Sequence, residues 1–120
     1  MYLNNKIIVG KNDIIEENIL LNKANRHGLI TGASGSGKTI TLKVIAESFS
    51  DAGVPVFLAD VKGDLAGMCV EGTNNEKLAE RITKLNIPDF NFKSFPTHFW
   101  DVYGEYGHPI RTTVNNIGYQ

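Results

Sequence analysis

The chain has 120 residues with 12 Lys and Arg against 13 Asp and Glu, which predicts at most one domain and gives no strong field for nucleic acid or an anionic membrane. No apolar run is long enough to span a bilayer, and the first residues do not resemble a signal peptide. The single cysteine, Cys69, excludes an internal disulfide and fits a reducing compartment, so we expect a cytoplasmic protein without a membrane partner.

Residues 1–27 are predicted to form a lead-in segment with short strands. Lys6–Gly10 has the apolar character of a short strand that ends at a turn glycine. Ile19–Leu21 is a second brief apolar segment, and the acidic stretch Asp13–Asn18 separates the two. We expect the two strands to pair as a hairpin ahead of the main unit.

The main unit begins with a predicted strand, helix and strand. Gly28–Thr31 and Val54–Ala59 are apolar and too short for helices, so both are predicted to be buried strands. The helix is predicted to begin at Lys38 and to end near Gly53, a left-handed cap that Pro55 follows. Its apolar positions recur on one face: Leu42, Ile45, Ala46 and Phe49. This βαβ order predicts two parallel strands in one sheet and a sizeable core that hides about two-thirds of the unfolded surface.

The second half of the chain carries weaker signals. Thr73–Glu76 has the form of a capping box and predicts a second helix that ends at Ile87–Pro88. Its apolar stripe consists of Leu78, Ile82 and Leu85. Thr97–Tyr103 is predicted to be a strand whose aromatic side chains belong to the core, with base stacking as the alternative. Turn residues follow, and Ile110–Val114 is predicted to return as the second strand of a hairpin.

The stretch between the first strand and the first helix has the Gly-x-x-x-x-Gly-Lys-Thr spacing of a phosphate-binding loop, or Walker A motif. Glycines allow successive backbone N–H groups to face an anion, and the helix start adds its positive dipole end. Lys38 is expected to stabilise charge on the β- and γ-phosphates, and the Thr39 hydroxyl to bind Mg²⁺. The predicted nucleotide-binding residues are Gly32, Ala33, Ser34, Gly35, Ser36, Gly37, Lys38 and Thr39.

Several residues outside this stretch are weaker candidates. Asp60 follows an apolar run, as in a Walker B motif that holds Mg²⁺, or it lies at the edge of the nucleotide cleft. Lys62 and Asp64 could join it there or form a solvated turn. Arg111 could meet a phosphate or a neighbouring subunit, or form a surface ion pair. The histidines and Cys69 lack zinc-ligand spacing, so no zinc site is expected.

Parts of the sequence resemble a bacterial family of HerA-like ATPases, which carry a helicase HerA-like C-terminal domain. The resemblance runs from about residue 19 to the end and includes the phosphate-loop stretch. Its most diagnostic segments are Ala59–Gly67 and Gly107–Thr113.

The resemblance implies an α/β fold of the P-loop NTPase, RecA-type class, a three-layer core with a mostly parallel sheet that this chain contains only in part. Residues 28–120 would be the N-terminal part of that ATPase domain, and the Walker B aspartate and catalytic glutamate would lie beyond Gln120. It also implies ATP and Mg²⁺ as cofactors, double-stranded DNA as a candidate substrate and a homo-oligomer, often a hexameric ring. The 27 residues before the first strand are too few for the barrel domain of HerA.

Two functions of different class are therefore expected. The first is ATP binding and, in the complete protein, Mg²⁺-dependent hydrolysis by a helicase or translocase. The second is a regulatory module that binds nucleotide without turnover and acts through a protein partner. A small kinase or a GTPase is disfavoured, because the chain has neither an arginine-rich lid nor a guanine-reading Asn-Lys-x-Asp stretch.

Overall fold

The computed structural model describes residues 1–87 and 90–110. It begins with an antiparallel three-stranded sheet in the order β1 (Tyr2–Leu3), β2 (Lys6–Lys11) and β3 (Glu16–Leu20). The predicted hairpin is present as β2 and β3, with Ile7 opposite Ile19. The division of the chain into a lead-in segment and an ATPase part stays a prediction.

Strand β1 was not predicted from the sequence. It pairs with β2 through a two-residue turn, Asn4 and Asn5, whose φ angles are 49° and 61°. Positive φ at both central residues is the geometry that gives a tight hairpin the right twist, and asparagine tolerates it better than most residues. The Asn-Asn pair was the sequence signal for this strand.

The predicted first helix is confirmed as α1 (Lys38–Asp51), and Gly53 after it has the expected left-handed conformation, with a φ of 77°. The helix packs against β1 and β2, and Ile7 and Ala46 form the buried apolar core of the described residues. Leu42, predicted on the buried face, is exposed. Ser48 is buried instead, and its hydroxyl donates a 2.5 Å hydrogen bond to the carbonyl oxygen of Val44.

The two predicted buried strands, residues 28–31 and 54–59, have no regular secondary structure, and both predictions of burial are wrong. Leu29 is 88% exposed and Phe57 is 81% exposed. A strand is stabilised by neighbours that satisfy its backbone groups and cover its side chains, and no described strand pairs with residues 28–31 or 54–59. The mostly parallel RecA-type core therefore stays a prediction.

The chain is correspondingly open. Its accessible surface is 10179 Å², whereas a folded chain of this length exposes about 6,400 Å². Its radius of gyration is 17.2 Å, against about 14 Å for a compact domain. The expected burial of two-thirds of the unfolded surface is thus not reached, because the apolar segments after the lead-in sheet have few partners.

The second helix, α2, spans Glu76–Lys84. Its cap is Asn75, whose side chain accepts a 2.9 Å hydrogen bond from the backbone N–H of Leu78, so the predicted capping box at Thr73–Glu76 was displaced by two residues. The predicted stripe of Leu78, Ile82 and Leu85 is half-buried.

Helix α2 ends earlier than predicted. Asn86 has a φ of 44°, its N–H donates to the carbonyl of Thr83, and the N–H of Ile87 donates to that of Ile82. These two hydrogen bonds around a left-handed residue form a Schellman motif. The motif explains why the helix ends at Lys84 without a proline. Pro88, the predicted stop, lies outside the described residues.

A second, small sheet pairs β4 (Trp100–Asp101) with β5 (His108–Pro109). The pairing is parallel, and β5 lies within the stretch that was predicted to be a turn. Between the two strands the chain makes a complete loop and then runs in the same direction again. The loop closes around the Asp101 carboxylate, which accepts hydrogen bonds from the intervening backbone N–H groups. Residues 111–114 of the predicted returning strand lie outside the described residues.

Candidate functional site

The glycine loop, residues 32–37, leads directly into α1. Gly37 is the residue before the helix and has a φ of 92°, and Gly35 has a φ of 78°. Both values lie in the left-handed half of conformational space, where a side chain costs energy and glycine does not. Gly35 and Gly37 are therefore favoured by the path of the backbone into the helix.

The interior of the loop is closed by two contacts to one carbonyl oxygen. The backbone N–H of Ser36 donates to the Ala33 oxygen at 3.2 Å, and Lys38 Nζ donates to the same oxygen at 2.7 Å. A Cβ atom at Gly32 would lie 2.5 Å from Ser36 Oγ, so a side chain there would require Ser36 to change its rotamer. The Lys38 ammonium is thereby held across the loop rather than extended into solvent.

Most backbone donors of the glycine loop have no acceptor. Of the backbone N–H groups between Ala33 and Gly37, that of Ser36 alone has a hydrogen-bond acceptor among the described residues. The first N–H groups of α1, including those of Lys38 and Thr39, have no intrahelical acceptor, and no side chain caps this end. Together with the helix dipole they form a surface that can bind an anion. The Thr39 side chain lies exposed beside it and could contact a cation.

Asp60 organises a loop of its own, the Asp60 loop, residues 60–65. Oδ1 accepts hydrogen bonds from the N–H groups of Lys62 (3.1 Å) and Gly63 (2.9 Å), and Oδ2 accepts one from Leu65 (2.8 Å). These backbone hydrogen bonds, that of Leu65 foremost, lower the pKa of Asp60 below its ordinary value. Both carboxylate oxygens of Asp60 thus accept hydrogen bonds from the backbone of its own loop.

Asp60 and Lys62 are not connected to the glycine loop in this structure. Within residues 1–87 and 90–110, no hydrogen bond or ion pair joins either side chain to residues 32–39. The role of both residues in nucleotide or Mg²⁺ binding stays a prediction. Arg111 lies outside the described residues.

The sequence interpretation missed a second loop of the same kind, the aromatic loop, residues 100–108. One oxygen of the Asp101 carboxylate accepts from the N–H of Tyr103 (3.0 Å), and the other accepts from those of Glu105 (2.8 Å) and Tyr106 (3.1 Å). These hydrogen bonds lower the pKa of Asp101. The signal was available in the sequence, because an aspartate followed by a glycine turn often binds the backbone ahead of it.

The aromatic residues of this region are not in a core, contrary to the prediction. Trp100 is 59% exposed, Tyr103 85% and Tyr106 90%. The ring of Trp100 contacts that of His108, with centroids 5.8 Å apart. The short parallel sheet fixes the ends of the loop but has no neighbouring layer on which these rings could pack.

No group of three or more His, Cys, Asp or Glu side chains within residues 1–87 and 90–110 is arranged to hold a metal ion. None of the helices in this part of the chain combines the length and apolar character needed to cross a membrane.

The glycine loop at the start of a long helix, in an α/β chain, is the kind of site found in nucleotide-binding proteins. Comparison with protein families gives a more particular result, because the profile of the family described as Helicase HerA-like C-terminal matches residues 5–119. The match covers nearly the whole chain, and the chain belongs to this family. It begins well before residue 19, so most of the lead-in sheet is part of the family's sequence pattern.

Searches of curated proteins and of solved structures found no match. Membership of the family relates the chain to HerA-type helicases and ATPases.

Proposed function

We propose that this chain binds Mg·ATP through residues 32–39 and that the complete protein hydrolyses the nucleotide to drive movement on double-stranded DNA. The observation that carries the proposal is the set of unpaired backbone N–H groups in the glycine loop, at the start of the 14-residue helix α1, with Lys38 placed across them. Family membership supports the ATPase and helicase part.

Lys38 has the central role in this proposal. Its ammonium group now donates to a neutral carbonyl, that of Ala33. A triphosphate offers charged oxygens, with which the same group forms shorter and stronger hydrogen bonds. Nucleotide binding would therefore move the ammonium from the loop carbonyl to the β- and γ-phosphates, where it stabilises the charge that develops during phosphoryl transfer.

Thr39 and the loop backbone supply the remaining contacts. The Thr39 hydroxyl, exposed at the first turn of α1, would contribute one oxygen ligand to Mg²⁺, which is bound by oxygens only. When bound, Mg²⁺ neutralises phosphate charge. The backbone N–H groups of residues 33–38 would orient the phosphates and need no side-chain specificity, which fits the small residues Ala33, Ser34 and Ser36.

The decisive variant is Lys38→Ala in the full-length protein. Loss of a charge-assisted hydrogen bond costs about 1.5–3 kcal/mol, so we expect the Kd for ATP to rise on the order of 10- to 100-fold and ATP hydrolysis to stop. Titration calorimetry measures the first effect and phosphate release the second. Lys43→Ala on the same helix, five residues from Lys38, is the matched control and should leave both unchanged.

Normal hydrolysis by Lys38→Ala would show that the site was misread. Binding of ATP by the wild type without any turnover would instead assign the regulatory, nucleotide-binding role.

The DNA part of the proposal has its own test. Double-stranded DNA should stimulate the ATPase of the full-length protein, and the stimulation should disappear as salt is raised, because phosphate contacts release counterions. ATPase activity that is indifferent to DNA at low salt would remove DNA as the substrate and leave the nucleotide site intact.

A further inference from the structure

Residues 90–95, which we call the strap, contact parts of the chain that are far apart in sequence. Lys93 forms an ion pair with Asp51, the last residue of α1. Two positions further on, the N–H of Phe95 donates a 3.0 Å hydrogen bond to the carbonyl oxygen of Met68. The strap therefore holds the end of α1 and the short helical turn that contains Met68 close to one another.

The aromatic side chains of the strap place its first half beside α2. A Cβ atom at Gly72 would lie 3.0 Å from Cδ1 of Phe92, so this ring lies directly against the glycine. Phe90 and Phe92 contact each other edge to face, with ring centroids 5.1 Å apart. Both rings line an open cleft of about 300 Å³ together with Asn74, Ala79, Ile82 and Thr83. The strap thus lies between α2 at one end and α1 at the other.

The strap closes the chain between its two anchor points into a loop. The anchored residues, Asp51 and Met68, are separated by the 16 residues 52–67 and are held by strap positions only two apart. The Asp60 loop lies within this closed segment. A segment whose ends are held together has fewer conformations than one with a free end, so the strap restricts where the Asp60 loop can lie relative to α1.

The attachment at Asp51 is electrostatic and accessible to solvent. The Lys93 side chain is 50% exposed and that of Asp51 is 30% exposed. The Lys93 ammonium group also lies over the Phe95 ring, 5.1 Å from its centroid, so one cation supports both anchor points. Burial raises the pKa of Glu47, one helical turn before Asp51, and the positive charge of Lys93 opposes this rise. An ion pair with this exposure is weakened by salt, so it can open while the helices stay folded.

We propose that the strap is a reversible attachment, and that Lys93 controls whether residues 52–67 are held to the end of α1. Loss of its ion pair should also open the hydrogen bond from Phe95 to Met68, because the same ammonium group restrains the Phe95 ring. Helix α1 begins at the glycine loop. The attachment therefore determines how far the chain after α1 can move relative to the candidate nucleotide site.

The Asp60 loop should stay intact when the strap is released. Its hydrogen bonds join Asp60 to Lys62, Gly63 and Leu65 and lie within the loop itself. Release therefore differs from unfolding, because the amide of Phe95 loses protection while that of Leu65 keeps it. The inference goes beyond the proposed nucleotide binding and does not depend on it.

Amide hydrogen exchange of the full-length protein tests the attachment with Lys93→Ala. Loss of a half-exposed ion pair and a cation–π contact should raise exchange at Phe95 about 3- to 10-fold. Exchange at Leu65 and in the middle of α1 should not change. High salt should have the same selective effect on the wild type, because it screens the ion pair. The matched control is Lys77→Ala, which removes an exposed lysine of α2 without an ion pair among the described residues and should change none of these rates.

An exchange of the two charges distinguishes the ion pair from a general effect of the Lys93 side chain. Lys93→Glu and Asp51→Lys should each release the strap, because each places two like charges opposite one another. Both changes in one chain restore an attractive pair without the cation–π contact. Exchange at Phe95 should then return to within about 3-fold of the wild-type rate.

The inference is overturned if Lys93→Ala leaves exchange at Phe95 unchanged, or if the chain with both charges exchanged is as unprotected there as the single variants. Equal increases at Phe95, at Leu65 and in α1 would also overturn it, because they would show general unfolding. ATP affinity, measured on the same samples, should be that of the wild type, since residues 32–39 lie at the opposite end of α1. A wild type that binds no ATP would overturn the proposed nucleotide site alone, so the two proposals can fail independently.

Discussion

The glycine loop and the Asp60 loop differ in whether their converging backbone N–H groups have an acceptor within the loop. Each contains tightly turned backbone whose N–H groups converge. In the Asp60 loop, three of these groups donate to an aspartate of the loop itself. The glycine loop contains no carboxylate. Of the backbone N–H groups between Ala33 and Gly37, that of Ser36 alone has an acceptor among the described residues.

The difference explains why only one of the two loops is a good candidate for binding phosphate. The carboxylate of Asp60 is an anion within the chain that accepts hydrogen bonds from the backbone N–H groups of its own loop. Asp101 has the same role in the aromatic loop. The glycine loop has the donors without the anion, so an external anion would take the place that aspartate has in the other two.

The largest effect on this contrast is expected from Gly37→Ala. Gly37 has a φ of 92°, and a side chain in left-handed conformation costs about 1–2 kcal/mol. The free loop could relax into another conformation but would have to return to this one to bind phosphate. We therefore expect about 5- to 30-fold weaker ATP binding by titration calorimetry.

Gly28→Ala is the matched control for this variant. No atom lies within 4 Å of the position that its Cβ would take, and its φ is not in the left-handed region. ATP affinity should be unchanged there. Equal losses at Gly28 and Gly37 would mean that affinity follows general destabilisation rather than the geometry of the glycine loop.

The local signals around α1 were read correctly from the sequence, whereas the burial of the predicted strands was not. The start of α1 at Lys38 and the left-handed Gly53 depend on residues a few positions apart, and both predictions were confirmed. The burial of Leu29 and Phe57 depends on strands from elsewhere in the chain, so apolar character alone could not establish it.

The loops show the same limit in the candidate site. The spacing from Gly32 to Thr39 identified the glycine loop, but it could not indicate that Lys38 donates to the Ala33 carbonyl. Asp60 was singled out as a residue at the edge of the nucleotide cleft, which stays a prediction, while its hydrogen bonds to the backbone follow from the path of the chain after it. Asp101 was overlooked because its aromatic neighbours suggested a core strand.

The next effect in size concerns Asp60→Asn. A carboxamide can accept hydrogen bonds through one oxygen only, so the three-bond arrangement around Asp60 cannot be kept. We expect faster amide hydrogen exchange at Lys62, Gly63 and Leu65, with ATP affinity unchanged. Asp64→Asn, in the same loop, should leave exchange at these three amides as it is.

The Asp60 variant also separates the two interpretations of that residue. A carboxylate that binds Mg²⁺ would make ATP affinity in the presence of Mg²⁺ fall in Asp60→Asn, with no change when Mg²⁺ is removed by chelation. That result would contradict the view that Asp60 serves its own loop.

The smallest and most gradual effect is expected from pH. Backbone hydrogen bonds lower the pKa of Asp60 and of Asp101 in the folded chain relative to the ordinary value of 3.8. Each carboxylate therefore stabilises its loop above that value, and the contribution is lost as pH falls through the lower folded-state pKa. Acidification below about pH 4 should loosen both aspartate-organised loops.

The glycine loop provides the internal comparison for this titration. Its hydrogen bonds join the Ser36 N–H and the Lys38 side chain to a backbone carbonyl oxygen, and no carboxylate takes part in them. Amide exchange, corrected for its intrinsic pH dependence, should thus increase at Leu65 and Tyr106 before it does at Ser36. Simultaneous loss of protection at all three would mean that the chain unfolds as one unit, and that the carboxylates do not act as the local anions of their loops.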